Sequence, residues 1–240
     1  MPLSDRVDAG AVREALVLVP GLSCDATLWR AQVEGLADVA VPVVGDTLQD
    51  DSLSAMAARI LATAPERFAL AGFSMGGYVT MEIWRQAPER VTRIAFLDTS
   101  AEADDMAARN LRKAAVTTAR KRGYEAVLRG SLRRLVHPDT AQSVAEEVVA
   151  MALRVGLDIY ARQQRAIMAR PDSRADLASI TVPALVIAGA QDKLTPPTRA
   201  REIAAHVPQA RLELIENCSH MAPMEQPERV NTLLRQWLAA

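Results

Sequence analysis

The protein has 240 residues, a formal net charge of −1, hydrophobic residues at 50% of positions and charged residues at 24%. These values exclude a disordered chain, and near-neutrality gives no reason to expect nucleic acid or an anionic membrane as partner. No apolar run approaches the roughly 20 residues of a bilayer span, and two cysteines, Cys24 and Cys218, are too few for a disulfide framework.

The first residues, MPLSDRVDAGAVREA, carry acids and no apolar centre, so they do not resemble a secretory signal and a reduced, cytoplasmic enzyme is expected. Glu14–Pro20 then reads as a strand, followed by Gly21-Leu22-Ser23-Cys24 and Asp25, a helix cap for ATLWRAQVEGL. Further strands are expected at Val39–Val44, Phe68–Phe73, Arg93–Leu97, Ala184–Ala188 and Leu212–Ile215. Their consecutive Val, Ile and Leu residues suit a parallel sheet covered on both faces. Between them, Leu53, Met56, Ala57, Ile60 and Leu61 share one helical face, as do Val230, Leu233, Leu234, Trp237 and Leu238 after Pro227. This alternation predicts an α/β fold with a mostly parallel, doubly wound sheet. Residues 101–179 break it with helical patterns alone, too many for one crossover. The expected organisation is a core of residues 1–100 and 180–240 with a helical lid at 101–179, over the strand ends where such sheets bind ligands.

The stretch ALAGFSMGGYV holds Ser74 between a strand and a helix, with Gly72 and Gly76 two residues to either side. A turn that tight strains the serine backbone, lifts its hydroxyl clear of the sheet and sets it by a helix N-terminus. A nucleophilic serine needs a base, and there are three histidines. His206 lies in an amphipathic run and His137 before a proline, whereas His220 directly follows the last strand, on the same sheet edge as Ser74. The imidazole needs a carboxylate. Asp192, at the end of ALVIAGAQD, is favoured over Asp98 in FLDTSA, because its strand immediately precedes the histidine strand. The backbone N–H groups of Leu22 and Met75 are candidates for an oxyanion hole, where one donor is worth about 3 kcal/mol of barrier.

With Ser, Asp and His in that order, the chain resembles the α/β-hydrolase superfamily over nearly its whole length, through GFSMGG, GAQDKLTPP and CSHMAPMEQPERV. Within it, the chain is similar to small bacterial serine esterases and lactonases with a helical cap. One departure is Pro20-Gly21, where many members carry His-Gly. The resemblance implies hydrolysis of an ester, thioester, lactone or carbon–carbon bond through Ser74. The leading expectation is a carboxylesterase for small to medium acyl chains, working through an acyl-enzyme on a small-molecule ester or related carbonyl substrate. A carbon–carbon bond hydrolase or lactonase is the alternative. An acyltransferase, a lyase or a ligand receptor on the same fold would be of another class. No cofactor is expected and no metal, because three dispersed histidines and two distant cysteines lack zinc spacing.

The lid gives two further expectations. Nine basic residues against one acid, Glu125, lie between Arg109 and Arg134, which suits a solvated face first and an anionic substrate second. Gln163, Ile167 and Arg170 share a helical stripe that is expected to face substrate. Cys24 and Cys218, each two residues from a site residue, are expected to approach one another near the pocket as thiols.

Overall fold

Alternate residues of each strand point to opposite faces, and here both faces are apolar. A computed structural model describes residues 13–240; the secretory-signal reading of the first twelve residues lies outside them. Six strands, β1 (Glu14–Val19), β2 (Ala40–Val44), β3 (Phe68–Phe73), β4 (Val91–Leu97), β5 (Ala184–Gly189) and β6 (Arg211–Ile215), form one sheet. Its order is β2-β1-β3-β4-β5-β6, and every neighbouring pair is parallel. Pro42 lies in β2, at an edge, where a missing N–H costs least.

On one face, Val17, Leu70, Ile94, Phe96 and Val186 pack with α2 (Leu53–Thr63), α3 (Met75–Gln86) and α8 (Pro197–His206). On the other, Leu16, Leu18, Ala95, Leu97 and Ile187 pack with α1 (Arg30–Gly35) and α10 (Pro227–Leu238). Each fully buried large side chain contributes about 1.5–3 kcal/mol of transfer free energy. Side-chain caps begin two of the predicted helical stretches: Ser52 accepts the Ala55 N–H, and Asp25 accepts the Thr27 N–H at the 3-10 turn before α1.

Between β4 and β5 run α4 (Met106–Arg122), α5 (Tyr124–Leu135), α6 (Gln142–Val155) and α7 (Leu157–Met168), then a 3-10 turn at Arg174–Ser179. Val148 and Met151 of α6 join the core beneath α1 and α10, while Tyr124, Ala152 and Tyr160 form a separate cluster with Ala119. Among the described residues, no helix is long and apolar enough to cross a membrane.

Candidate active site

Ser74 sits between β3 and α3 with φ 52° and ψ −114°, a conformation that an L-residue keeps only under restraint. Its N–H donates to the Leu97 carbonyl (2.9 Å), and its own carbonyl accepts from the Gly77 N–H (2.9 Å) and the Thr99 hydroxyl (2.7 Å). A Cβ on Gly72 would overlap Thr80 Oγ1 and the Gly76 carbonyl, and one on Gly76 would overlap the Val19 carbonyl. The flanking glycines therefore let α3 lie against β1 and β3 closely enough to hold the bend.

His220 follows β6 on a loop that folds back over the carboxyl edge of the sheet. Its Nε2 is 3.0 Å from Ser74 Oγ, and its Nδ1 is 2.8 Å from Asp192 Oδ2. Asp192, just past the end of β5, also accepts from the Leu194 N–H (2.7 Å), the Thr195 N–H (3.0 Å) and the Thr195 hydroxyl (2.7 Å). Burial opposes its ionisation, but the charge and hydrogen bond of His220, with those from Thr195 and Leu194, hold its carboxyl below the usual range. The structure thus brings together three residues from three strand ends.

Asp98 is not part of that chain. Its Oδ1 accepts the Gly189 N–H (2.8 Å) at the end of β5, and no bond joins it to His220 among the described residues. It serves the backbone at the end of β5. Burial, with the charges of Asp192 and Glu225 added, pushes its carboxyl well above the ordinary range.

The loop after β1 lies opposite, and Leu22, Ser74 and His220 line one cavity of about 450 Å³. Met75 is the first residue of α3, so its N–H has no intrahelical partner. Leu132, Leu135, Val149, Met151 and Ile167 give much of the wall an apolar character. Arg170 also lines it, stacked 4.3 Å from the Tyr78 ring centroid. It lies beyond the end of α7, however, and its guanidinium donates to Asp104 and to the Glu102 and Ile167 carbonyls.

Gln163 departs from expectation. It shares the stripe with Ile167, yet it is fully buried away from the cavity. It lies one turn further back along α7, so its amide meets the loops after β1 and β2 instead of substrate space. Its Oε1 accepts the Ser23 N–H (2.9 Å), and its Nε2 donates to the Thr47 carbonyl (3.0 Å).

Of the nine basic residues, Arg112 and Arg134 line the cavity, and Arg112 is bound to Asp104 and Gln164. Burial disfavours the Asp104 charge, but the Arg112 and Arg170 guanidiniums together hold its carboxyl low. Cys24 lines the cavity and Cys218 does not. Both are free thiols, and burial pushes Cys24 up to about 12 and raises Cys218 as well. Among the described residues, no three His, Cys, Asp or Glu side chains converge as metal ligands.

Two contributors carried no sequence signal of their own. Thr195 sits behind Asp192, and Glu225 of α9 (Ala222–Glu225) accepts the Ser219 and Met221 N–H groups that flank His220.

Residues 16–233 match the model of the alpha/beta hydrolase family. A putative carbamate hydrolase RutD of Agrobacterium fabrum is 27% identical over 97% of this chain and 95% of its own. A 3-oxoadipate enol-lactonase 2 of Acinetobacter baylyi is 26% identical over 92% of this chain and 87% of its own. The solved structure of a thermophilic esterase from Thermogutta terrifontis, with malate bound, superposes with a TM-score of 0.86 at 29% identity. That match covers 94% of this chain and 89% of the esterase. A match to the family model across most of the length settles the lineage that the serine turn first suggested: the chain belongs to the alpha/beta hydrolase family.

Proposed function

We propose that the protein hydrolyses carboxylic esters, with Ser74 as nucleophile, His220 as general base and acid, and Asp192 as the carboxylate that orients the imidazole. The observation that carries this reading is the unbroken hydrogen-bonded path from Ser74 Oγ through the His220 ring to Asp192. With the charge of His220, three hydrogen bonds donated by Leu194 and Thr195 favour the ionised Asp192, which favours the tautomer with a proton on Nδ1 and a free lone pair on Nε2. As Ser74 Oγ attacks the ester carbonyl, its proton passes to Nε2. The N–H groups of Leu22 and Met75 receive the oxyanion. Collapse expels the alcohol, which takes the proton from Nε2. Water then attacks the acyl-enzyme by the same route and regenerates Ser74.

The cavity favours an uncharged acyl group. Its wall is largely apolar, and the Arg112 and Arg170 donors are engaged by Asp104, Gln164 and the Glu102 carbonyl. A carboxylate on the substrate could pair with Arg112 or Arg170 only by displacing those partners, so an acidic ring-cleavage product would have to be held by Arg134 instead. A lactone is an internal ester and passes through the same steps, and the likeness to an enol-lactonase favours including it.

Hydrolysis of p-nitrophenyl esters of rising chain length, run beside lactones and a vinylogous diketone, tests the reading. Ser74→Ala is expected to lower kcat by about 10⁴-fold or more and to abolish fluorophosphonate labelling. Hydrolysis that survives Ser74→Ala would refute the assignment.

A further inference from the structure

The loop that carries Leu22 has few hydrogen bonds of its own. Pro20 has no N–H, and the contacts made within the loop are the Cys24 N–H to the Gly21 carbonyl (3.2 Å) and the Cys24 thiol to the Leu22 carbonyl (3.4 Å). Ser23, next to Leu22, has φ 59°, the left-handed region that a non-glycine residue keeps only under outside restraint. That restraint comes from the helical insertion. Gln163 of α7 accepts the Ser23 N–H, and Tyr124 of α5 shares a 2.7 Å hydrogen bond with the Ser23 hydroxyl.

We propose that Gln163 and Tyr124 are positioning residues that set the oxyanion hole from the insertion, so that the strength of the hole depends on how the insertion docks. The proposal rests on the reading above in which Leu22 donates to the oxyanion.

The Leu22–Ser23 peptide plane is pinned at both ends, its carbonyl by the Cys24 thiol and its N–H by Gln163. The Leu22 N–H lies in the preceding Gly21–Leu22 plane, whose carbonyl accepts the Cys24 N–H (3.2 Å), so the turn that Gln163 and Tyr124 hold at Ser23 keeps this plane in place as well. Gln163 suits the task because neither end of its amide is free. The oxygen faces a donor and the nitrogen faces the Thr47 carbonyl, so a flipped amide would set donor against donor and acceptor against acceptor. Tyr124 is steadied in turn by the Tyr160 ring, with centroids 5.0 Å apart. Burial raises its phenol, so the hydroxyl keeps its proton and can continue to pair with Ser23.

The test uses the full chain and three variants. Gln163→Met keeps the length and removes both hydrogen bonds, Gln163→Glu keeps the acceptor for Ser23, and Tyr124→Phe keeps the ring and removes only the hydroxyl. The readouts are kcat and KM on a p-nitrophenyl ester, with the inhibition constant of a trifluoromethyl ketone, whose serine adduct carries an oxyanion. Gln163→Met is expected to lower kcat by about 10- to 100-fold with KM within about twofold, and to weaken the ketone in parallel. Gln163→Glu is expected to recover part of the loss. Tyr124→Phe, which keeps the ring packing should Gln163→Met fail to fold, is expected to lose about three- to tenfold in kcat and in ketone affinity. Wild-type kcat in both Gln163→Met and Tyr124→Phe would overturn the proposal while leaving Ser74 chemistry intact. So would a loss of kcat with ketone affinity unchanged. Hydrolysis that persists in Ser74→Ala would remove the reading itself and the proposal with it.

Discussion

Glu225 tests how the histidine loop is held. Its Oε1 accepts the Ser219 N–H (3.1 Å) and the Met221 N–H (3.0 Å), on either side of His220. Its Oε2 accepts the His137 N–H and the Thr140 hydroxyl, both at 2.6 Å, just beyond α5. Glu225→Ala leaves four donors without that acceptor. Hydrogen bonds to a charged group are worth about 1.5–3 kcal/mol each. The site is half-buried, so water replaces part of them and the four are not additive. A net loss of about 3 kcal/mol follows, which for a chain of this length lowers Tm by about 6–12 °C. Because the loop also positions the base, kcat is expected to fall about tenfold. Glu225→Gln keeps one oxygen for the Ser219 and Met221 donors but turns an NH₂ toward the other two, so about half the loss in Tm is expected. Thermal melts and esterase kinetics on the three proteins check this. A shift in Tm under about 2 °C with unchanged kcat in Glu225→Ala would refute the reasoning.

Gly76→Ala is expected to destabilise by about 3 kcal/mol or more and to abolish esterase activity. Its Cβ meets the backbone carbonyls of Val19 and Pro20, which cannot yield without parting α3 from β1. Gly130→Ala, in α5 with nothing near the added methyl, is expected to stabilise by about 0.5–1 kcal/mol, and thermal melts separate the two. The raised carboxyl of Asp98 keeps its proton in the fold after the unfolded chain has lost it, so stability falls as pH rises above about 4. Asp98→Asn removes that term. The drop in Tm between about pH 5 and about pH 8 should shrink, and an unchanged slope would show that Asp98 does not titrate this way. Cys24, buried and raised to about 12, should react with N-ethylmaleimide only slowly below pH 8, measured by mass spectrometry against the unfolded chain.

The sheet was legible because its inner strands β1, β3, β4 and β5 are largely buried on both faces and therefore appear as long apolar runs. The exception is instructive. β4 begins at Val91, two residues before the expected start, because Val91 pairs with Phe68 across a shift in register. Thr92 and Arg93 break the apolar run there, and their side chains reach Glu14. Ser74, Asp192 and His220 could be singled out because each stands at a strand end, in a turn whose glycines or prolines mark a sharp change of direction. Gln163 could not be placed in the same way. Its partners are Ser23 and Thr47, far away in the chain, and helical periodicity gives the face of a residue but not what that face meets. Thr195 and Glu225 act by accepting or donating within loops, and no residue spacing encodes that.

These hydrogen bonds also divide the proposed work unevenly between core and insertion. Only the Ser74 turn is held by the sheet alone, through the Leu97 carbonyl and Thr99 at the end of β4. The His220 loop is tied to the insertion, its own N–H and that of Met221 meeting the Leu135 carbonyl at the end of α5, with Glu225 bridging to His137 and Thr140. The Leu22 loop is tied there too, by Gln163 and Tyr124. The base and the oxyanion donor thus approach the nucleophile from the two sides that the insertion holds. A shift of α5 relative to the sheet of even a fraction of an ångström would move both at once, whereas the serine would stay where it is. Rate on this scaffold should therefore respond to substitutions at the underside of α5 and α7 more steeply than to equally buried substitutions beneath α10, whose side-chain hydrogen bonds among the described residues reach neither the Leu22 loop nor the His220 loop.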